Sequence, residues 1–183
     1  MNPEIPKKIH LDPSLYCKPG WVYSISVIAD FKRQYFLKHE LNMEIIECLK
    51  NQKEKLKCRV FVYCLMPEHL HFLCSVEPYA HNEFGSVGLY ARKNYAHKGL
   101  HYPDKEPSII DFVNQFKGKS TTITWKYGIK GSLWQKRWYD HILRKDEDVR
   151  KIGEYILNNP VRRGLVEHWY EYSYCGYLDE FDV

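Results

Sequence analysis

Apolar residues alternate with polar ones, or run almost unbroken, in four short segments of the chain. Segments 21–28, 58–65 and 69–76 are rich in β-branched and aromatic residues, which predicts strands, and residues 133–143 carry a fourth strand signal. A tight turn at 66–68 joins the second and third strands into a hairpin.

Helical spacing of apolar residues appears in three other segments, which cover residues 41–49, 109–125 and 146–158. The last begins with Asp146, Glu147 and Asp148, which complement the helix dipole. The second ends in threonines, and we expect it to fray there. The order strand, helix, strand, strand, helix, strand, helix predicts an α+β domain with an antiparallel sheet and helices on one face.

The 183 residues suit one domain, with a Pro-containing arm at 1–20 and an acidic, aromatic tail at 164–183. Residues 78–107 read as a long loop with a short helix near 89–92. The sequence has neither a signal-peptide pattern nor an apolar run long enough to span a membrane, so we expect a cytoplasmic protein.

A pair of histidines interrupts the most apolar segment of the chain. On a strand, His69 and His71 project to one face and Leu70 to the other, so the two imidazoles can share a divalent metal. The alternative is two histidines at the end of a half-exposed strand. Cys64 and Cys74 flank the pair, but their odd spacing from the histidines predicts the opposite face and argues against a zinc–thiolate site.

The last predicted helix carries a second candidate pair. Tyr155 and Asn159 are four residues apart and share one helical face. Pro160 disfavours helical geometry at Asn159, so we expect its amide at a frayed helix end, free to turn towards a ligand. A phenol and an amide placed in this way suit a nucleophile beside a metal ligand. The alternative is a chance pairing, because asparagine is common at helix ends.

The charge is unevenly distributed along the chain. Residues 164–183 carry a net charge of −5 and the remainder +9, and residues 107–163 hold twelve basic side chains against six acidic ones. Tryptophans and tyrosines are interleaved with these cations, a mixture that favours single-stranded nucleic acid. Core packing is the other explanation for each of the aromatic residues.

Five blocks of the sequence, in this order, resemble the REP-associated tyrosine transposases, a branch of the single-tyrosine HUH transposases of bacterial insertion sequences. They are YCLMPEHLH at 63–71, FKGK at 116–119, LWQKRWYDHILR at 133–144, EYILNNPVRRGLV at 154–166 and WYEYS at 169–173. The resemblance implies a ferredoxin-like fold. The segment 76–107 and the end of the chain after Ser173 depart from the family's pattern.

The resemblance also implies a reaction. Tyr155 corresponds to the catalytic tyrosine, and His69, His71 and Asn159 correspond to ligands of Mg²⁺ or Mn²⁺. The enzyme would cleave and rejoin single-stranded DNA near palindromic hairpin repeats through a 5′-phosphotyrosine, as a monomer or homodimer. The expected DNA contacts are Lys117, Lys119, Trp134, Arg137, Arg144, Arg162 and Arg163.

Three alternatives stay open from the sequence. The chain could be a catalytically inactive DNA-hairpin binder, or a small RNA-binding module of the same topology. The nucleophile could instead be Tyr139, in its Trp-Tyr-Asp-His setting. Apart from these three alternatives, the role of Glu68 also stays open, since it could assist a water molecule or cap the turn.

Overall fold

The computed structural model describes residues 12–76, 108–144 and 147–181. In chain order, the strands and α-helices are β1 (Val22–Ile28), α1 (His39–Lys55), β2 (Cys58–Met66), β3 (His69–Val76), α2 (Ile109–Thr124), β4 (Tyr139–Ile142), α3 (Val149–Leu157), α4 (Asn159–Arg162) and β5 (Cys175–Tyr177).

The five strands form one antiparallel sheet in the order β4-β1-β3-β2-β5. The first four strands, with α1 and α2 as the connecting helices, give the split β-α-β arrangement of a ferredoxin-like fold. The predicted fold is therefore confirmed. β5 lies in the segment expected to be a tail and extends the sheet beyond β2.

Two apolar clusters cover opposite faces of the sheet. On one face, Leu70 and Phe72 of β3 pack with Phe112 and Phe116 of α2 and with the apolar side of α1. On the other, Leu73 packs with residues of β2 and with the buried end of α3. The expectation of helices on one face holds for α1 and α2, whereas α3 lies on the opposite face, because β3 and β2 present apolar side chains in both directions.

Side-chain hydrogen bonds set the ends of several elements. Asp148 caps α3 by accepting hydrogen bonds from the amides of Arg150 (3.0 Å) and Lys151 (3.3 Å), so this helix begins later than expected. The predicted start at Asp146 lies outside the described residues. Near the end of α2 the Thr121 hydroxyl bonds to the carbonyl of Lys117 (2.7 Å), and the helix continues to Thr124 instead of fraying.

The remaining segments differ in how far they can be compared with the predictions. The fourth strand is shorter than the predicted 133–143, because only an isolated bridge between Ala29 and Trp134 precedes β4. Residues 1–11 of the arm and the whole predicted loop at 78–107 lie outside the described residues. None of the helices in the described ranges has the length and apolar character that a membrane crossing requires.

Candidate active site

The two histidines of β3 project towards α3. Leu70 and Phe72 are buried on the α1–α2 side, so the alternation of the strand directs His69, His71 and Leu73 to the other side. The predicted shared face of the two imidazoles is therefore present.

His69 lies beside an ion pair that ties the β2–β3 turn to the end of α4. Its Nδ1 is 3.3 Å from Oε1 of Glu68, and the Arg163 guanidinium donates to the same carboxylate oxygen. Burial lowers the pKa of His69 below its usual value, although the Glu68 carboxylate acts in the opposite direction. The lowered pKa favours the neutral ring, which is the form that binds a metal.

His71 is held by β1. Nε2 of His71 lies 3.0 Å from the hydroxyl oxygen of Ser24, and this contact fixes the orientation of the ring. Burial, with smaller contributions from the nearby His69 and Arg162, lowers the pKa of His71 to about 4. Both imidazoles therefore need no deprotonation before they bind a metal at neutral pH.

Close helix packing positions Tyr155 at the surface of α3. Gly153 faces the sheet, where a Cβ would lie 3.5 Å from Cγ1 of Val62. Ile156 and Leu157 are buried against the same face, which leaves Tyr155 55% exposed on the outer side of the helix. The phenol is accessible to a macromolecular substrate.

Asn159 differs from the expectation of a free amide at a frayed end. The residue is buried at the start of α4, and its Nδ2 donates to the carbonyl of Ile156 (3.0 Å). Its Oδ1 accepts a hydrogen bond from Nη2 of Arg162 (2.7 Å). Two hydrogen bonds therefore fix the amide at the junction where a single residue, Asn158, separates α3 from α4.

Arg162 brings the candidate residues together. Its guanidinium carbon lies 3.7 Å from the centroid of the Tyr155 ring, it bonds to Asn159, and its charge lowers the pKa of His71. The sequence predicted Arg162 as a phosphate contact and missed these side-chain contacts. The sequence carried no signal for these contacts, because Tyr155 and Arg162 belong to two different helices, α3 and α4.

The donor set fits a divalent metal. Neutral imidazoles are common ligands of divalent transition metals, and an amide oxygen with added water or phosphate oxygens suits Mg²⁺ and Mn²⁺. Within the described ranges, no three His, Cys, Asp or Glu side chains converge on one point, so residues of these four types do not form a metal site by themselves there.

The flanking cysteines separate between the two faces. Cys74 packs in the α1–α2 cluster as expected, but Cys64 lies directly opposite His71 in the β2–β3 register and shares its face. The prediction from odd spacing was wrong for Cys64. Residues that pair across a two-residue hairpin share a face, and their residue numbers always differ by an odd number. Cys64 also lies directly opposite Cys175 of β5 in the β2–β5 register.

Two residues predicted to contact DNA have structural roles. Trp134 is only 2% exposed, and its Nε1 donates to the Ser120 hydroxyl (2.7 Å), so it is a core residue and cannot stack on a base. The Lys117 ammonium donates to the carbonyls of Gln135 (2.8 Å) and Lys136 (2.9 Å). Burial lowers the pKa of Lys117, as expected for a cation that fastens a loop.

The other predicted DNA contacts lie on different sides of the sheet. Lys119 is exposed beside Glu44 and Glu47 in a groove between α1 and α2, away from the histidines. Arg137 and Arg144 are exposed before and after β4. Arg144 lines a cleft of about 860 Å³ between β4 and the start of α3. Arg162 and Arg163 lie at the site itself.

Tyr139, the alternative nucleophile, shares the face of the histidines. Ser26 of β1 pairs with His71 on one side and with Tyr139 on the other, so the tyrosine lies two strands from β3. It is half-exposed and on a strand, whereas Tyr155 lies beside Asn159 and Arg162.

Comparisons with known proteins agree with the resemblance inferred from the motifs. No protein-family model matches the chain. A Haemophilus influenzae protein described provisionally as a REP-associated tyrosine transposase is 22% identical over 158 residues, 86% of this chain and 80% of that protein. The REP-associated tyrosine transposase of Escherichia coli is 33% identical over 57 residues, 31% of this chain and 34% of that protein.

A solved structure has the same fold. The structure of a REP-associated tyrosine transposase bound to a REP hairpin matches with a TM-score of 0.58 at 19% identity, covering 86% of this chain and 77% of that chain. The resemblance to these transposases and the predicted fold are both confirmed.

Proposed function

We propose that this protein cleaves and rejoins single-stranded DNA beside palindromic hairpins, with Tyr155 as the nucleophile. The observation that carries the proposal is that one side chain, Arg162, connects the candidate residues. It contacts the Tyr155 ring, donates a hydrogen bond to Asn159 and lowers the pKa of His71. The confirmed fold, and relatives that are named REP-associated tyrosine transposases, support the same function.

In the cleavage step the Tyr155 oxygen forms a bond to the scissile phosphorus, and the bond from phosphorus to the 3′ oxygen breaks. The products are a 5′-phosphotyrosine and a free 3′-hydroxyl. The phenol gives its proton to solvent as its oxygen attacks, and the departing 3′ oxygen takes up a proton from solvent. The guanidinium on the Tyr155 ring favours the developing phenolate. Rejoining reverses the step and needs no nucleotide cofactor, because the ester conserves the energy of the phosphodiester.

His69, His71 and Asn159 would hold a Mg²⁺ or Mn²⁺ ion, which when bound supplies Lewis-acid polarisation of the scissile phosphate. Ser24 and Glu68 orient the two imidazoles. Arg137, Arg144 and Arg163 supply exposed positive charge for the strand.

The test uses a hairpin oligonucleotide with single-stranded flanks, incubated with the protein and Mg²⁺ or Mn²⁺. We expect a covalent protein–DNA band that survives denaturation, with the nucleotide on the 152–162 peptide in mass spectrometry. Tyr155→Phe should lose the band, and the matched variant Tyr139→Phe should retain it. A nucleotide on the 138–144 peptide would move the nucleophile to Tyr139. Hairpin or RNA binding without any adduct would identify a catalytically inactive binding protein.

A further inference from the structure

Arg162 makes two contacts that have opposite consequences for the proposed reaction. Its guanidinium lies on the ring of Tyr155, within the distance of a cation–π interaction. It also donates a charge-assisted hydrogen bond of 2.7 Å to Oδ1 of Asn159. The first contact helps the nucleophile, whereas the second occupies a candidate metal ligand.

The amide cannot easily offer its oxygen elsewhere. Nδ2 of Asn159 is bonded to the carbonyl of Ile156, which fixes the direction of Oδ1 towards Arg162. A divalent ion bound to that oxygen would face a guanidinium at short range, and two cations that close repel each other strongly. A metal and Arg162 therefore compete for Asn159.

Phosphate offers Arg162 another partner. The side chain is exposed, and the planar guanidinium matches phosphate oxygens with two parallel hydrogen bonds. A strand that enters the site would bring its phosphodiester close to Tyr155, and thus within reach of the guanidinium that already covers that ring.

We propose that Arg162 holds the oxygen of Asn159 until DNA binds and then transfers to a phosphate oxygen, which frees the amide for the metal. This inference rests on the proposed function. Its consequence is that DNA and metal bind cooperatively, each raising the affinity for the other by the same factor. The free protein, by contrast, binds metal weakly.

The test measures Mn²⁺ binding by electron paramagnetic resonance, in full-length protein carrying Tyr155→Phe to prevent cleavage. With Arg162 present, a hairpin oligonucleotide should raise the Mn²⁺ affinity by roughly 5- to 100-fold, the usual range of such coupling. In the Arg162→Gln variant, Mn²⁺ should bind the DNA-free protein several-fold more tightly, and DNA should add much less.

Arg163→Gln is the matched control for charge. It removes a neighbouring cation that is paired with Glu68 and not with Asn159. A gain in Mn²⁺ affinity equal to that of Arg162→Gln would reduce the effect to general electrostatics and overturn the proposal. Unchanged or weaker Mn²⁺ binding in DNA-free Arg162→Gln protein would overturn it as well.

The two proposals can fail separately. A Tyr155 adduct in the wild-type protein, together with unaltered coupling in the Arg162 variant, would leave the proposed function intact and exclude the switch. The absence of any adduct in the wild-type protein would count against the proposed function itself.

Discussion

The Ser24 hydroxyl lies 3.0 Å from Nε2 of His71, so β1 holds the imidazole that faces α3. When a metal-binding histidine loses the residue that hydrogen-bonds to its other ring nitrogen, metal affinity or activity usually falls by roughly 10- to 100-fold. We expect a Ser24→Ala variant to lose Mn²⁺ affinity on that order while it keeps its fold. Ser26→Ala is the matched control, because Ser26 lies on the same face and directly opposite His71 in the register. Equal effects of the two variants would exclude a specific role for the Ser24 bond.

Removal of both imidazoles should abolish cleavage without abolishing DNA binding. The double variant His69→Ala/His71→Ala retains the cations around the site, so we expect its hairpin affinity to stay within several-fold of wild type. Cleavage of the oligonucleotide in the presence of Mg²⁺ should fall to background. A double variant that cleaves at the wild-type rate would rule out the histidines as ligands. Chelation of the metal in wild-type protein should reproduce the loss.

Acid should destabilise the metal-free protein through His71. Its pKa is lowered to about 4, whereas in the unfolded chain it titrates near 6.5. The unfolded state therefore binds the proton first. The stabilisation is complete above pH 6.5, falls as the pH is lowered from 6.5 to 4, and amounts to about 3 kcal/mol at about 1.4 kcal/mol per pKa unit.

Urea unfolding at several pH values, in the presence of a chelator, measures this dependence. In a His71→Gln variant the free energy of unfolding should depend less steeply on pH in this range. The same pH dependence in wild type and variant would show that His71 is not the titrating group.

The sequence predicted β3 to the residue, because an apolar run follows the tight turn at 66–68 and its first positions alternate between His69, His71 and buried residues. It also placed Tyr155 on the helix that faces the histidines. Periodicity could not show that α3 covers the face opposite α1 and α2, since a pattern identifies the apolar side of a helix and not the sheet face that it meets.

For a similar reason, contacts between segments that are distant in the chain could not be predicted from the sequence. Ser24 and His71 are 47 residues apart, and only the strand order β1-β3 brings them together. Cys64 was assigned to the wrong face because strand parity does not carry across the hairpin. Trp134 was ambiguous, because a tryptophan among cations has the same pattern in a core as on a DNA surface.

The side of the sheet that binds DNA can be identified from salt dependence. Arg144 lines the cleft beside α3, on the face of the histidines, whereas Lys119 lies between α1 and α2 on the opposite face. Arg144→Gln should weaken oligonucleotide binding and reduce the slope of log affinity against log salt by about 0.7 to 1. Lys119→Gln, a matched loss of one positive charge, should leave that slope nearly unchanged. The reverse result would place the strand over α1 and α2.

Trp134 should stabilise the fold without contributing directly to DNA binding. Its indole packs against Phe36 and Phe116, with ring centroids at 5.1 and 5.8 Å, and donates to Ser120. A Trp134→Ala variant should lose about 3 to 5 kcal/mol in the free energy of unfolding, as is usual when a buried aromatic is removed. Trp125→Ala is the control, since Trp125 is 56% exposed after α2 and should contribute far less. Chemical denaturation measures both losses, and fluorescence anisotropy measures oligonucleotide affinity in the folded fraction. If the Trp134→Ala protein had wild-type stability and bound the oligonucleotide much more weakly, Trp134 would be a DNA contact and not a core residue.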